Sequence, residues 1–222
     1  MVLLLSRNEV EQILDMKSAI EAVEIGFTEL AKGEVIMPQR AALSDPAPGL
    51  TLVMPANIPK MKALGTKIVT VYKKNPTEYN LPTVLGKTML QNYDTGEIIA
   101  IMDAGYATAM RTGAATGVGI KYLARKDSKT VGLFSAGVQA RKQLVAAATV
   151  LDDINCKLYD LNKSTAELFK KDLEKELGID ITIVDNPDAA IDADVVIAAT
   201  TSIEPIFDGQ KIAPGTMISS FI

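Results

Sequence analysis

Ser135, Ala136 and Gly137 stand between a short apolar run, Val131 to Phe134, and a helical stretch that begins near Val138. A strand, a tight turn of small residues and a helix, in that order, present helix N-terminal N–H groups to an anion. Small side chains there let a diphosphate reach the backbone. Asp160 closes the next apolar run, Lys157-Leu158-Tyr159, where a carboxylate accepts hydrogen bonds from an adenosine ribose diol. Together these residues form a dinucleotide fingerprint in which Ser135 takes the first glycine position and Ala140 the third. Alanine at the third is a recognised variant; serine at the first is less usual and narrows the turn's options. The competing reading is an ordinary strand-turn-helix of some other doubly wound protein. Asp160 favours NAD, because the 2′-phosphate of NADP would be pressed against a carboxylate. Lys163 is near enough in sequence to soften that preference, so NADP stays open.

The chain contains no histidine. That removes the commonest zinc ligand and the usual general base, so no metal site is expected and serine-histidine and cysteine-histidine hydrolase mechanisms are excluded. Proton transfer must fall to Lys, Asp, Glu, Tyr or bound water. The single cysteine, Cys156, has no partner for an internal disulfide, fits a reducing compartment, and is expected to pack in or beside the second strand of the nucleotide domain. A net charge of −4, with no basic cluster beyond Lys73-Lys74, argues against nucleic acid. No apolar run reaches transmembrane length, and Met1 to Leu5 is too short for a signal-peptide core; the expectation is a cytoplasmic protein with no membrane partner.

The elements that must position these residues read in two textures. Ser6-Arg7-Asn8-Glu9 has the form of a capping box, and Asp15 can cap a second helix in which Met16, Ile20, Val23, Phe27 and Leu30 recur at helical spacing until Gly33. From 36 to 102, short apolar runs (36–43, 50–55, 64–72, 82–91, 97–102) are punctuated by Pro and Gly, with Asp94-Thr95-Gly96 as a turn. This half reads as a mostly antiparallel sheet. Asp103 then precedes a helical stretch to about Leu123, rich in small residues. Beyond Lys129, strands at Thr130, Lys157, 179–184, 195–199 and 217–221 alternate with helices running to Val150, from Lys163 to Leu177 and after Pro187. Alternation of this kind gives a parallel, doubly wound sheet. The expected fold is α/β: a Rossmann domain over 126–222, preceded by an α+β domain over 1–125. The Rossmann domain is read as incomplete, one strand short of six.

Several segments are more specific than the glycine turn: Met37-Pro38-Gln39-Arg40, Val53-Met54-Pro55, Gly65-Thr66-Lys67-Ile68-Val69-Thr70, Leu81-Pro82-Thr83, Ala109-Met110-Arg111-Thr112-Gly113, Ala136-Gly137-Val138-Gln139-Ala140 and Ala199-Thr200-Thr201-Ser202. Through them the chain resembles, over essentially its whole length, the ornithine cyclodeaminase and mu-crystallin family, which also holds an archaeal type of alanine dehydrogenase and ketimine reductases. Members run longer, so the chain resembles one truncated after the fifth Rossmann strand. The resemblance implies a homodimer whose N-terminal domain serves substrate binding and dimerisation. It implies that Arg40, Lys67 and Arg111 converge on the substrate carboxylate, with Lys67 near the reacting carbon as the catalytic residue. It also sets Thr83, Arg111, Thr112, Gln139, Asp160 and Thr200 at the dinucleotide, Thr83 near the nicotinamide, beside the turn of Ser135, Gly137 and Val138.

Elementary chemistry agrees with part of this. An α-amino or α-imino acid needs its carboxylate fixed, and a guanidinium offers a matching planar fork. Lys67 lies in an otherwise apolar strand, where an unpaired ammonium is costly. The bland alternatives are salt-bridge roles for Arg40 and Arg111, a turn role for Thr83 and a helix cap at Thr200. Tyr72 and Tyr106 are expected to be core or dimer residues.

Within the family, cyclodeaminases carry a glutamate two residues before the Met-Pro pair, where it handles the second amino group of a diamino acid. Leu52 occupies that place and cannot steer an ammonium. The expected function is therefore an NAD-dependent oxidoreductase of small amino or imino acids, of the alanine dehydrogenase or Δ1-pyrroline-2-carboxylate reductase type. Ornithine cyclodeaminase and a non-catalytic, crystallin-like ligand-binding protein are the alternatives, with a methyltransferase using S-adenosylmethionine a weaker third.

Overall fold

The computed structural model describes residues 1–44 and 48–221. In chain order the elements are β1 (Leu3–Leu5), α1 (Arg7–Ile13), α2 (Met16–Ala31), β2 (Ala41–Leu43), β3 (Leu50–Ile58), β4 (Ala63–Val71), β5 (Val84–Gln91), β6 (Ile98–Asp103) and α3 (Ala104–Leu123). There follow β7 (Thr130–Phe134), α4 (Val138–Val150), β8 (Asn155–Tyr159), α5 (Lys163–Leu177), β9 (Asp180–Ile183), α6 (Pro187–Ile191), β10 (Val195–Ala198) and β11 (Met217–Ser220). Their contacts divide the chain into two units, one of Met1–Asp15 with Glu24–Thr108, the other of Met16–Val23 with the chain from Ala109 onward.

The first unit is built on a six-stranded sheet in the order β1-β6-β5-β4-β3-β2. Its neighbours are antiparallel except β1 and β6, which run parallel. Local chemistry sets its joints. Ser6 caps α1, its hydroxyl accepting from the Glu9 N–H while the Glu9 carboxylate accepts from the Ser6 N–H at 2.7 Å. Between β5 and β6 the Asn92 side-chain oxygen accepts the N–H groups of Asp94 and Thr95, each at 3.0 Å, and Gly96 takes φ +73°. Asp103 does double duty, accepting the Gly105 N–H at the start of α3 and pairing with Lys87 across the sheet.

Two sequence expectations change here. Met1 to Leu5, read only as too short for a signal core, supplies the edge strand β1. The run 36–43 contributes just three strand residues, because Pro38 has no N–H for a ladder; upstream, Ile36 makes a lone bridge to Asn57.

The second unit is a parallel five-stranded sheet in the order β11-β10-β7-β8-β9, the Rossmann-like arrangement expected. The chain moves outward from β7 through β8 to β9, then returns to the other side of β7 with β10 and β11. Beyond the carboxyl ends of β7 and β10 lies the topological switch point, where open α/β sheets bind ligands. One face of the sheet is packed by Val131, Leu133, Leu144, Leu158, Leu173 and Ile197, all fully buried. The other is closed by Phe134, Ala190, Ile191 and Val196. Cys156 sits in this interior on β8, as expected, and burial pushes its thiol pKa up, so it is an inert packing residue. Asn162 caps α5 by accepting the Thr165 N–H at 3.1 Å, and Gly178, at φ +67°, ends that helix.

Among the described residues no helix is long and apolar enough to cross a membrane.

Candidate active site

At the end of β7 the chain turns through Ser135, which takes φ +93°, a left-handed conformation that glycine adopts freely and serine only under strain. Neighbours hold it there. The Ser135 N–H donates to the Tyr159 carbonyl at 2.9 Å, and the Ala136 N–H donates to the Asp160 carboxylate at 2.7 Å. The Ser135 hydroxyl accepts the Gly137 N–H at 3.2 Å. Gly137 is the N-cap of α4 and supplies no side-chain cap, so the N–H groups of the first turn point outward without intrahelical acceptors. Such a helix start attracts an anion.

Asp160 follows β8 and engages both of its carboxylate oxygens, one with Ala136 and the other with the Asn162 N–H at 2.7 Å. The acid therefore locks the two βα turns together while facing a cleft of about 460 Å³. Ser135, Asp160, Leu161, Thr200 and Ile206 line that cleft, at the switch point. Its base is aromatic, the Phe134 ring lying 5.8 Å from Tyr159 edge-on and 5.1 Å from Phe207. Lys163 does not stand as a loose cation beside it. Its ammonium pairs with Asp185 at 2.8 Å, which raises the lysine pKa and lowers the aspartate's.

Thr200 caps no helix. Its hydroxyl accepts the Ser202 N–H at 3.4 Å in a loop that Ser202 ties further to Glu204. Val138 is exposed at the start of α4, and the buried Oε1 of Gln139 has no partner among the described residues. Arg111 and Thr112 lie on α3 in the same unit. Thr112 is buried. Arg111 keeps an exposed surface, makes no ion pair among the described residues, and has its pKa lowered by partial desolvation, though it remains a cation at neutral pH.

In the first unit, Lys67 on β4 lies opposite Met54 on β3 and Thr88 on β5, and Thr88 lies opposite Met102 on β6. These side chains share one face of the sheet. Leu52, opposite Val69, is on that same face two residues along. Ala41 pairs with Val53, so Arg40, the residue before it, falls level with Met54 and thus in the row of Lys67. Arg40 is exposed and, among the described residues, has no ion-pair partner. The sheet register thus brings two of the expected cations into one row. Thr83 precedes β5; its carbonyl accepts the Tyr72 N–H at 2.8 Å, leaving its half-buried side chain outside that bond.

Sequence reasoning missed the clamping role of Asp160 and a buried polar cluster of Thr116, Gln143 and Ser219. For the latter a signal existed: Gln143 interrupts the apolar side of α4 beside Leu144, Ala146 and Ala147.

Comparison with known proteins gives the chain's relatives. The chain is 36% identical over 218 residues to alanine dehydrogenase of Archaeoglobus fulgidus, covering 98% of this chain and 66% of that protein. The structure of Thermococcus litoralis Δ1-pyrroline-2-carboxylate reductase in complex with NADH and L-proline superposes with a TM-score of 0.90 at 42% identity, over 98% of this chain and 68% of that one. An archaeal alanine dehydrogenase dimer with bound NAD gives a TM-score of 0.90 at 36% identity, over 98% of this chain and 66% of that one. The chain thus spans about two thirds of the length of the relatives it matches. The model of the ornithine cyclodeaminase/mu-crystallin family matches residues 1–221, and the chain belongs to that family.

Proposed function

We propose that this protein is an NAD-dependent oxidoreductase of small amino or imino acids, moving hydride between the nicotinamide and the substrate α-carbon. The observation that carries the reading is the Asp160-locked turn at the switch point, with an uncapped helix start on one side and a cleft on the other. That arrangement fits a dinucleotide: the free N–H groups of α4 suit the diphosphate, and the carboxylate suits a ribose diol. The cofactor, when bound, supplies the redox chemistry. The chain's own residues supply alignment and charge. Arg40 and Arg111, the cations that the family resemblance assigns to the substrate carboxylate, each have no ion pair of their own among the described residues. Lys67 holds or delivers the proton at the substrate nitrogen. Gln139, Val138, Thr112, Thr200 and Thr83 make the remaining cofactor contacts.

NAD is the cofactor of choice in this reading. Asp160 repels a 2′-phosphate, and the ammonium of Lys163, neutralised by Asp185, offers that phosphate little compensation. A cyclodeaminase is disfavoured, since Leu52 shares the sheet face of Lys67 and gives a second ammonium nothing to bind. The solved alanine dehydrogenase relative is a dimer, and an exposed apolar sheet face in the first unit supports the same state here.

Steady-state oxidation of NADH with Δ1-pyrroline-2-carboxylate, and with pyruvate plus ammonia, tests the proposal. Turnover with one of these and a preference for NADH over NADPH is the expected result. Tight NADH binding without oxidation of any imino acid would instead support a crystallin-like binding protein.

A further inference from the structure

Within the second unit α3 and α4 meet at a range that excludes side chains. A Cβ on Gly113 would lie 2.4 Å from the Lys142 carbonyl oxygen, and one on Gly117 would lie 2.8 Å from Ile20 Cδ1 and 3.4 Å from Ala146 Cβ. A seam so close needs no polar groups to hold it, yet it contains two, and a third reaches it from β11. Thr116, Gln143 and Ser219 are 1%, 0% and 7% exposed. The Thr116 hydroxyl donates to Gln143 Oε1 at 3.0 Å and lies 3.2 Å from the Ser219 hydroxyl, which is left to act as donor. Gln143 Nε2 is buried and finds no partner among the described residues.

On stability grounds this is a poor arrangement. A buried donor without an acceptor carries its full desolvation cost, whereas apolar side chains of the same shape would carry none. What the network supplies is register. The close contacts at Gly113 and Gly117 already resist sliding of one helix past the other, and three directional groups that meet in one alignment only add to that register and tie β11 into it. The elements so aligned bear the candidate site. Arg111 and Thr112 lie about one helical turn before Thr116 on α3. Gln143 lies on the helix that starts at the Ser135–Gly137 turn, and Ser219 lies on β11, paired with Ile197 of the strand that leads into Thr200.

Taking the redox reading above as its basis, we infer that Thr116, Gln143 and Ser219 are positioning residues that fix Arg111 relative to the dinucleotide turn. They touch neither substrate nor cofactor. Their loss acts through the placement of Arg111, so it falls on the use of the carboxylate substrate and spares NADH binding.

The test compares Gln143→Met and Thr116→Val/Gln143→Met with the unmodified chain in three measurements. Melting temperature and NADH dissociation constant are expected to stay near the unmodified values, the latter within about twofold, while kcat/KM for the imino acid falls about tenfold, mainly through KM. Hydrogen–deuterium exchange, read without substrate, is expected to quicken in α3 around residues 109–116 and not across α4. Unchanged kcat/KM in an active enzyme overturns the inference, and so does a fall that NADH affinity and melting temperature share equally. Should the unmodified chain bind NADH but turn nothing over, the redox reading fails on its own and exchange decides: faster exchange in α3 supports the register role, and unchanged exchange overturns it. If the double variant does not fold, Ser219→Ala, which adds no volume, carries the same measurements.

Discussion

Ser135 shows how much a single backbone conformation can constrain a site. Holding serine at φ +93° costs about 1–3 kcal/mol, offset here by the bonds that Ser135, Ala136 and Gly137 make around the turn. Ser135→Gly removes that strain and frees the Gly137 N–H, at the entropic cost of one more glycine. The expected net gain is about 1 kcal/mol in urea unfolding, with NADH affinity no weaker. A loss of stability would mean that the hydroxyl's bond to Gly137 outweighs the strain. Asp160→Asn is the complementary change, because an amide has one acceptor oxygen where the carboxylate uses two. It should cost about 1–3 kcal/mol in stability and weaken NADH binding about tenfold, measured by fluorescence titration, while narrowing the preference over NADPH. At this scale the sequence was informative about position and less so about strain. Small residues after Phe134 and an acid after Tyr159 have a recognisable spacing. Serine at the first glycine position pointed to a constrained turn, but nothing in the letters discloses the φ it takes, or that both oxygens of Asp160 are taken by backbone N–H groups.

Between elements, close backbone approach and half-buried charge set the joints. A Cβ on Gly132 would lie 1.9 Å from the Ala190 carbonyl, so β7 and α6 meet backbone to backbone. Gly132→Ala should destabilise by about 3 kcal/mol, whereas Gly209→Ala, with open space around it, should change unfolding little. Asp194 ties the entrance of β7 to the approach of β10, its carboxylate accepting the N–H groups of Lys129 at 2.8 Å and Thr130 at 2.9 Å and pairing with Arg125. Burial alone would raise its pKa, but those N–H groups and the nearby cations outweigh it and hold the group below the ordinary carboxylate range. A depressed carboxylate contributes stability that is fully present above the unfolded value of about 3.9 and lost as pH falls through the lower folded value. The stability difference between the native chain and Asp194→Asn should therefore be constant near neutrality and shrink below about pH 4. The strand-helix alternation after Lys129 was legible because parallel strands buried on both faces read as short apolar runs with capped helices between them. Leu3–Leu5 was not, since its pairing partner Ala100–Met102 lies most of a domain away in sequence.

At the scale of the molecule, the first unit's sheet leaves several apolar side chains of one face in solvent. Leu4, Leu43, Ile68 and Leu85 project from the face opposite Lys67, and all are exposed. Under the dimer proposed above, that face is the contact between copies. Ile68→Glu should convert a dimer to monomer by light scattering while leaving the far-ultraviolet dichroism intact; an unchanged mass would place the interface elsewhere. The family was legible in whole segments such as Met37–Arg40 and Ala109–Gly113, which no propensity argument could supply, and the buried seam of α3 and α4 lay beyond both kinds of reading because its three residues come from 116, 143 and 219. The central claim, hydride transfer to the α-carbon of an imino acid, is tested most directly with NADH deuterated at the transferring position and Δ1-pyrroline-2-carboxylate, the product read by mass spectrometry. The expected product is proline, or alanine when pyruvate and ammonia are supplied instead, carrying deuterium on its α-carbon; unlabelled product, or none from either substrate while NADH is demonstrably bound, would contradict the claim.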